Sequence, residues 1–399
     1  MSGDDQSTPE PGVAIDLSRR KDRSNPLGIE RTSLDAGRES GNLDVVRRSV
    51  VGAERVAAPY VTMTRIALTR LTRDRLARAG GLLLAWLALV CVFADVLASD
   101  LPVVCRFHGA VYVLPNITRP SELAGTDCAR MQRDQSPGDW MIQPLVADTS
   151  AASGSASDGQ VAAEALLAPL SRGHPFGTDA NGNDVFARVV HGTRTAFGVG
   201  LGASALLVAI GVVLGALAGF AGGIVDALVA RAVESLTAIP TLLLVLVVGA
   251  LVPNPTRVTL LLTIALTRWT ELARLVRAEV LSALGSDYVA AARALGAPLW
   301  RVLWRHVLPN AIGPAIVGAT FAVAWVVLVE ASVDFLRGGS LDGAASWGQL
   351  MGEARTHDHA WWLVVFPGSA LLATLIALNM VGEAARNALD PRLRGGVSG

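Results

Sequence analysis

Four stretches of this chain, residues 195–225, 235–256, 306–329 and 359–382, contain no Asp, Glu, Lys or Arg. Each can hold the roughly 20 residues that an α-helix needs to cross hydrocarbon. Composition agrees: of 399 residues 51% are hydrophobic and 17% charged, where a soluble chain averages about 25% charged. The mean hydropathy is +0.44. This is the pattern of an integral membrane protein.

The apolar runs predict six transmembrane helices, at about 79–99, 194–221, 230–252, 256–278, 309–332 and 360–385. Arg65, Arg70, Arg73, Arg75 and Arg78 precede the first, which places the N-terminus in the cytoplasm. An even number of spans returns the C-terminus to the same side. The loop 274–305 is then cytoplasmic too, and its arginines (274, 277, 293, 301, 305) outnumber its acids, Glu279 and Asp287. The fold class expected is an all-α polytopic membrane protein. Residues 1–60 are expected to be a disordered cytoplasmic tail and 61–99 a basic lead-in with the first span. A small, loop-rich extracytoplasmic insert follows at 100–190, then a five-helix core at 191–390 and a cytoplasmic C-terminus at 391–399. Asp95 reads as an interfacial acid, and Arg268 and Glu271, one turn apart, as a pair. Gly211, Gly215 and Gly219 are spaced for close helix packing.

Lys21 is the only lysine, in the polar run Arg19-Arg20-Lys21-Asp22-Arg23. No glycine-rich frame precedes it, so a phosphate-binding loop that needs a lysine is excluded. Net charge is zero, leaving no basic field for nucleic acid. No Ser/His/Asp or Cys/His arrangement has support from neighbouring residues, and no catalytic role is expected. Glu353, His357 and His359 read as a solvated loop face rather than a metal site. Asp179 and Asp184 flank a Gly-Asn turn, and they form turns or cap the following helix rather than hold calcium. Cys105 and Cys128 share the insert, where a disulfide between them is expected, while Cys91 lies within the first span.

The loop at 285–309 is the most informative segment. It reads Asp287-Tyr288-Val289-Ala290-Ala291-Ala292-Arg293-Ala294-Leu295-Gly296-Ala297-Pro298, then Leu299-Trp300-Arg301-Val302-Leu303-Trp304-Arg305-His306-Val307-Leu308-Pro309. An alanine-rich helix to Leu295 would end at Gly296, and Pro298 would open a second helix with Leu299, Val302 and Leu303 on one side. Pattern alone leaves two uses open: seating in a groove of a soluble partner, or resting on lipid headgroups.

This segment resembles the EAA loop of ABC importer permeases, with Ala291, Ala292, Gly296, Leu308 and Pro309 at the family spacing. Ala290 stands in place of the glutamate and His306 in place of an apolar residue. Further stretches are similar to the C-type permease subunits of dipeptide, oligopeptide and nickel importers. They are His174-Pro175-Phe176-Gly177-Thr178-Asp179-Ala180-Asn181-Gly182-Asn183-Asp184-Val185-Phe186-Ala187-Arg188, continued by Gly192-Thr193-Arg194. Ser346-Trp347-Gly348, Phe366-Pro367-Gly368, Asn379 to Gly382, and Leu389-Asp390-Pro391-Arg392 follow in order. The resemblance implies a six-helix type I importer permease fold, with Trp300, Arg301 and Arg305 joining the family residues in a loop that couples to ATPase subunits. It also implies the partners: a homologous B-type permease, two ATP-binding subunits that use ATP and magnesium, and an extracytoplasmic substrate-binding protein. No cofactor is expected on this chain itself. The setting implied is the bacterial cytoplasmic membrane, and the cargo di- or oligopeptides, with nickel or another small solute as the alternative. A self-sufficient secondary transporter is the rival from another class, disfavoured because the spans carry almost no acids. Asp334-Phe335-Leu336-Arg337 departs from the family's Ser-Phe-Leu-Gly, and Asn183 replaces an arginine.

Overall fold

A computed structural model describes residues 74–123, 126, 128–147, 166–171, 173–339 and 343–389. The expected tail at 1–60, the arginines before position 74, and Asp390 and Pro391 lie outside the described residues. Asp74 starts α1 (Arg75–Val92) by accepting the Leu76 N–H. Asp184 likewise caps α2 (Val185–Ala221) through the Ala187 N–H; at 37 residues this helix is about 55 Å long. Helices α3 (Gly223–Thr237) and α4 (Thr241–Leu251) are followed by α5 (Arg257–Leu284), which opens with a Thr256/Thr259 capping box. Then come α6 (Asp287–Ala294), α7 (Leu299–Val302), a π-helical turn at Leu303–Val307, and α8 (Leu308–Arg337). Helices α9 (Trp347–Glu353) and α10 (Trp362–Leu389) complete the core.

By length and composition, four described helical stretches can cross a membrane: Arg75–Val92, Val185–Ala221, Leu299–Arg337 and Trp362–Leu389. A fifth exists only if α3 and α4 count as one span, and they meet at 79°. The continuous span expected at 230–252 is therefore corrected. Pro240 precedes α4 with a ψ of 120°, and a proline ring cannot continue a helix through that point. Helix α5 has the length of a span but carries Arg257, Arg268, Glu271, Arg274, Arg277 and Glu279, and is not among the four.

The core is organised on the α2–α5 seam. A Cβ added at Gly211 would stand 3.0 Å from the Trp269 carbonyl oxygen, at Gly215 2.5 Å from that of Ala273, and at Gly219 3.0 Å from that of Arg277. Only glycine lets the two backbones approach this closely over three successive turns. Around the seam, Val199, Ala203 and Leu207 of α2 pack with Ile264, Ala265 and Trp269 of α5 and Val326, Val329 and Val333 of α8. A second cluster joins Val185 and Val189 to Trp347, Leu350, Trp362 and Leu363.

The segment between α1 and α2 is not wholly loop-rich, and it corrects the all-α description. Strands β1 (Val104–Phe107), β2 (Ala110–Val113) and β3 (Trp140–Ile142) form an antiparallel sheet in the order β2-β1-β3. The strands pair Cys105 with Tyr112 and with Met141. One face of the sheet buries Cys105 and Phe107 with Leu101, Leu123 and Met131, a small core of its own. The expected Cys105–Cys128 disulfide is not formed; both cysteines are buried as thiols. Cys105 is taken up by that apolar core, which uses a thiol as a small hydrophobe. Burial, with the Asp139 carboxylate nearby, raises the Cys105 thiol above its ordinary value.

Candidate functional site

The loop between α5 and α8 folds into two short helices joined by a tight turn. Helix α6 closes with the Gly296 N–H donating to the Arg293 carbonyl at 2.9 Å and the Ala297 N–H to the Ala292 carbonyl at 3.1 Å. That pair of bonds is the Schellman closure, whose pivotal residue must be left-handed, and Gly296 has φ +77°. Pro298 sits just before α7 rather than inside it, its carbonyl accepting the Arg301 and Val302 N–H groups. Val289, Val302 and Val307 are fully buried against Val276, Val280 and Ala283 of α5 and Ala311 of α8. Leu299 does not share that face as expected; it is exposed. Leu308 is buried at the start of α8, and Pro309, which has no N–H to donate, directly follows the π-helical turn and Leu308. Asn310 Nδ2 donates to the Tyr288 hydroxyl at 2.7 Å and to the His306 carbonyl at 2.8 Å, tying the loop to α8.

The opposite surface of the loop is open. Leu295 is 88% exposed, Trp300 63% and Trp304 64%, and Ala291, Arg301 and Arg305 are exposed beside them, while Ala292 is half-buried. The Arg301 guanidinium lies 5.7 Å from the Trp300 ring centre. Three large apolar side chains are thus left uncovered on one short loop, with arginines beside them in sequence.

The motif before α2 forms a buried polar network. Asp179 Oδ1 accepts the Asn181 and Asn183 N–H groups at 2.8 Å each, and its Oδ2 accepts Asn183 Nδ2 at 2.9 Å and an Arg188 Nη1 proton at 2.5 Å. Arg188 reaches on to Gln349 Oε1 at 2.8 Å. Thr178 Oγ1 accepts the Ala168 N–H, and the Thr178 carbonyl accepts Trp362 Nε1–H at 3.0 Å. Gly177 and Gly182 take the positive φ that the turns require. Asp184 holds His174 Nδ1 at 2.8 Å besides capping α2; burial pushes its carboxyl up, opposed by His174. Glu353 is corrected from a solvated position to a member of this network, its side chain 11% exposed and 4.0 Å from Arg188. Burial first and the Asp179 carboxylate second push it above the usual carboxylate range, while Arg188 opposes. Among the described residues, no three His, Cys, Asp or Glu side chains are grouped to hold a metal.

The later motif residues are packing devices. Trp347 Nε1 donates to the Val189 carbonyl at 2.9 Å, its ring pressed against Gly192. Gly348 lies against the Ala331 backbone, and Gly382 against Thr320 and Phe321. Pro367 and Gly368 lie inside α10, beside Phe366, whose ring stacks on Phe176 at 3.8 Å. Asn379 donates to its own helix at the Leu375 carbonyl and joins none of these clusters. Arg194 binds both Asp95 oxygens at 2.8 Å and also the Cys91 and Val92 carbonyls, closing the last turn of α1.

Sequence reasoning missed two acids. Glu330 and Asp334, one turn apart in α8, are 1% and 3% exposed, and Ser346 Oγ donates to Glu330 Oε1 at 3.1 Å. The signal was the Asp334 departure itself, which placed a second carboxylate four residues beyond Glu330. Arg268 and Glu271 do pair, at 2.6 Å.

Comparison with known proteins converges on one family. Residues 211–395 match the family described as binding-protein-dependent transport system inner membrane component. The oligopeptide transport system permease protein OppC of Bacillus subtilis is 35% identical over 227 residues, covering 57% of this chain and 74% of the relative. A putative peptide transport system permease protein of Brucella suis is 37% identical over 223 residues, with 55% and 74% covered. The di/tripeptide transport system permease protein DppC of Pseudomonas aeruginosa is 35% identical over 220 residues, with 55% and 72% covered. With its apolar helices, its ordered family motifs and these relatives, the chain belongs to the inner membrane components of binding-protein-dependent transport systems, the permease subunits of ABC importers.

Proposed function

We propose that this chain is the C-type permease subunit of an ATP-driven importer of di- or oligopeptides in a bacterial cytoplasmic membrane. It would cross the bilayer six times, with the bent α3–α4 pair as one crossing and the charged α5 as another, shielded inside the complex. Both termini would lie inside and the sheet-bearing insert outside. The observation that carries the reading is the α6–α7 loop: a glycine-closed helical knob with a buried valine underside and an exposed Leu295, Trp300 and Trp304 surface. In this reading a homologous B-type permease completes the path, two ATP-binding subunits dock on the cytoplasmic loops of the pair, this knob among them, and a substrate-binding protein delivers cargo outside. ATP and magnesium act in the partners; this chain binds no cofactor and performs no catalysis. Closure of the ATPases presses on the knob and tilts the helices between inward- and outward-open arrangements. Peptide as cargo rests on the three relatives named above, each described as a peptide permease.

The test is purification from the native membrane, with and without Trp300→Asp. The unaltered chain should carry two ATPases and a second permease with it, and the variant should insert normally but lose the ATPases. Retention of the ATPases by Trp300→Asp would remove the knob from the coupling role.

A further inference from the structure

A cleft of about 290 Å³ opens between α2, α5 and α8, lined by Leu207, Arg268, Glu271, Gly318, Phe321 and Trp325 among others. Its volume falls at the small end of ligand pockets, roughly 300–1,000 Å³. Arg268 lies about 17 Å along α5, and an ionisable group among apolar helices persists where it faces a cavity or partner rather than lipid. The Arg268 guanidinium is held on two sides, by Glu271 at 2.6 Å and over the Trp325 ring at 4.0 Å. Its side chain is 22% exposed and that of Glu271 53%, so both charges are presented to the cleft. Gly318 lets Leu272 and Leu275 of α5 pack close against α8 at the cleft wall, where a Cβ would stand 2.9 Å from Leu272 Cδ1.

We infer that this cleft is a binding station for the two charged ends of a short peptide, Arg268 taking the carboxylate and Glu271 the ammonium. The inference rests on the peptide-importer reading above. A zwitterion carries the same pair of charges as the site in reverse order, so it exchanges partners with Arg268 and Glu271 without adding net charge in a poorly solvated place. A guanidinium offers five donors in a fixed fork suited to carboxylate, more than a single contact from Nη2 to Glu271 Oε1 uses. Phe321, Leu207 and Trp325 supply apolar walls for a side chain. The cleft accommodates a dipeptide, and charge complementarity selects for two free termini.

The experiment uses the assembled complex, with Cys91, Cys105 and Cys128 replaced by alanine and Ala322→Cys placed on the cleft wall. Labelling by a small methanethiosulfonate reagent is timed without ATP, in the presence of dialanine or dialanine amide. Dialanine should protect, and the amide should protect about tenfold more weakly, the factor equivalent to ~1.4 kcal/mol for one charge-assisted hydrogen bond. Arg268→Gln should erase that difference; Arg268→Lys, the second variant should Arg268→Gln fail to assemble, should keep part of it. Equal protection by acid and amide, or none, overturns the station. So does a cysteine that reacts in the isolated chain but never in the complex, because the partner permease then fills the cleft. Uptake of dialanine by the same complex in proteoliposomes is scored separately. Uptake without protection removes the cleft alone, and protection without uptake removes the importer reading alone.

Discussion

Replacing Gly296 by alanine isolates a purely conformational cost at the α6–α7 loop. The residue has φ +77°, and a Cβ built there meets nothing within 4 Å, so no clash contributes. An L-residue held in left-handed geometry costs about 1–2 kcal/mol. That shifts the population with the Schellman turn intact by about 5–30-fold. The penalty falls on the loop and not on the bundle, because the buried undersurface of Val289, Val302 and Val307 is unaltered. In the reconstituted complex, peptide-stimulated ATP hydrolysis by Gly296→Ala should therefore drop by a factor in that range, with expression and basal hydrolysis unchanged. Asparagine tolerates the left-handed region better than other side chains, so Gly296→Asn should recover most of the loss, whereas Gly296→Leu should match or exceed alanine. The assay is a three-variant series of stimulated ATPase activity. Equal activity of the alanine and asparagine variants, or undiminished activity of Gly296→Ala, would refute the argument from backbone geometry.

Gly348→Ala drives a methyl into the Ala331 backbone, within 2.7 Å of its carbonyl carbon. Overpacking of this kind costs about 1–3 kcal/mol or more, and a lowered melting temperature in detergent should report it. Arg194→Met removes the bonds to Asp95 and to the Cys91 and Val92 carbonyls. Hydrogen bonds to a charged group are worth about 1.5–3 kcal/mol each at most, and faster hydrogen exchange in the last turn of α1 is the expected readout. Glu353 has its carboxyl raised, chiefly by burial, so the folded state binds more protons than the unfolded one above the ordinary carboxylate pKa of about 4.3. Stability must fall as pH rises through that window; Asp184 contributes in the same direction. Glu353→Gln should flatten the fall in a pH series of thermal melts, and an unchanged slope would count against the buried-carboxylate account.

The membrane class and the ordered motifs were legible because charge gaps and glycine or tryptophan positions are local properties of a sequence. Gly296 was readable as a helix terminator, and the Schellman bonds show why it must be glycine. Other features depend on what folds against what. The 79° break before α4 hides in an unbroken apolar run, since hydropathy averages over Ile239-Pro240 without regard to direction. The sheet of the insert adds to a local hairpin a short third strand paired across nearly forty residues of sequence, Val104 with Ile142. Cys105 and Cys128 sit in a compartment reading that favours oxidation, but burial of Cys105 among Leu101, Phe107 and Met131 depends on packing that spacing does not reveal. Arg188, Gln349 and Glu353 meet only because α9 folds back onto the start of α2.

The glycine seam has a mechanical meaning. Where Gly211, Gly215 and Gly219 bring α2 against the α5 carbonyls, side chains no longer act as a compliant layer between the two helices, and closely packed surfaces transmit strain with little loss. Sliding or splaying them would have to open three backbone contacts at once, so they behave as one stiff beam rather than two rods. The α6 knob hangs from one end of that beam, directly beyond Leu284. A push on it is consequently delivered to α2 as well as α5. Because α2 runs on to the Asp179 and Trp347 networks at its far end, a displacement of the knob is felt there as leverage over about 55 Å.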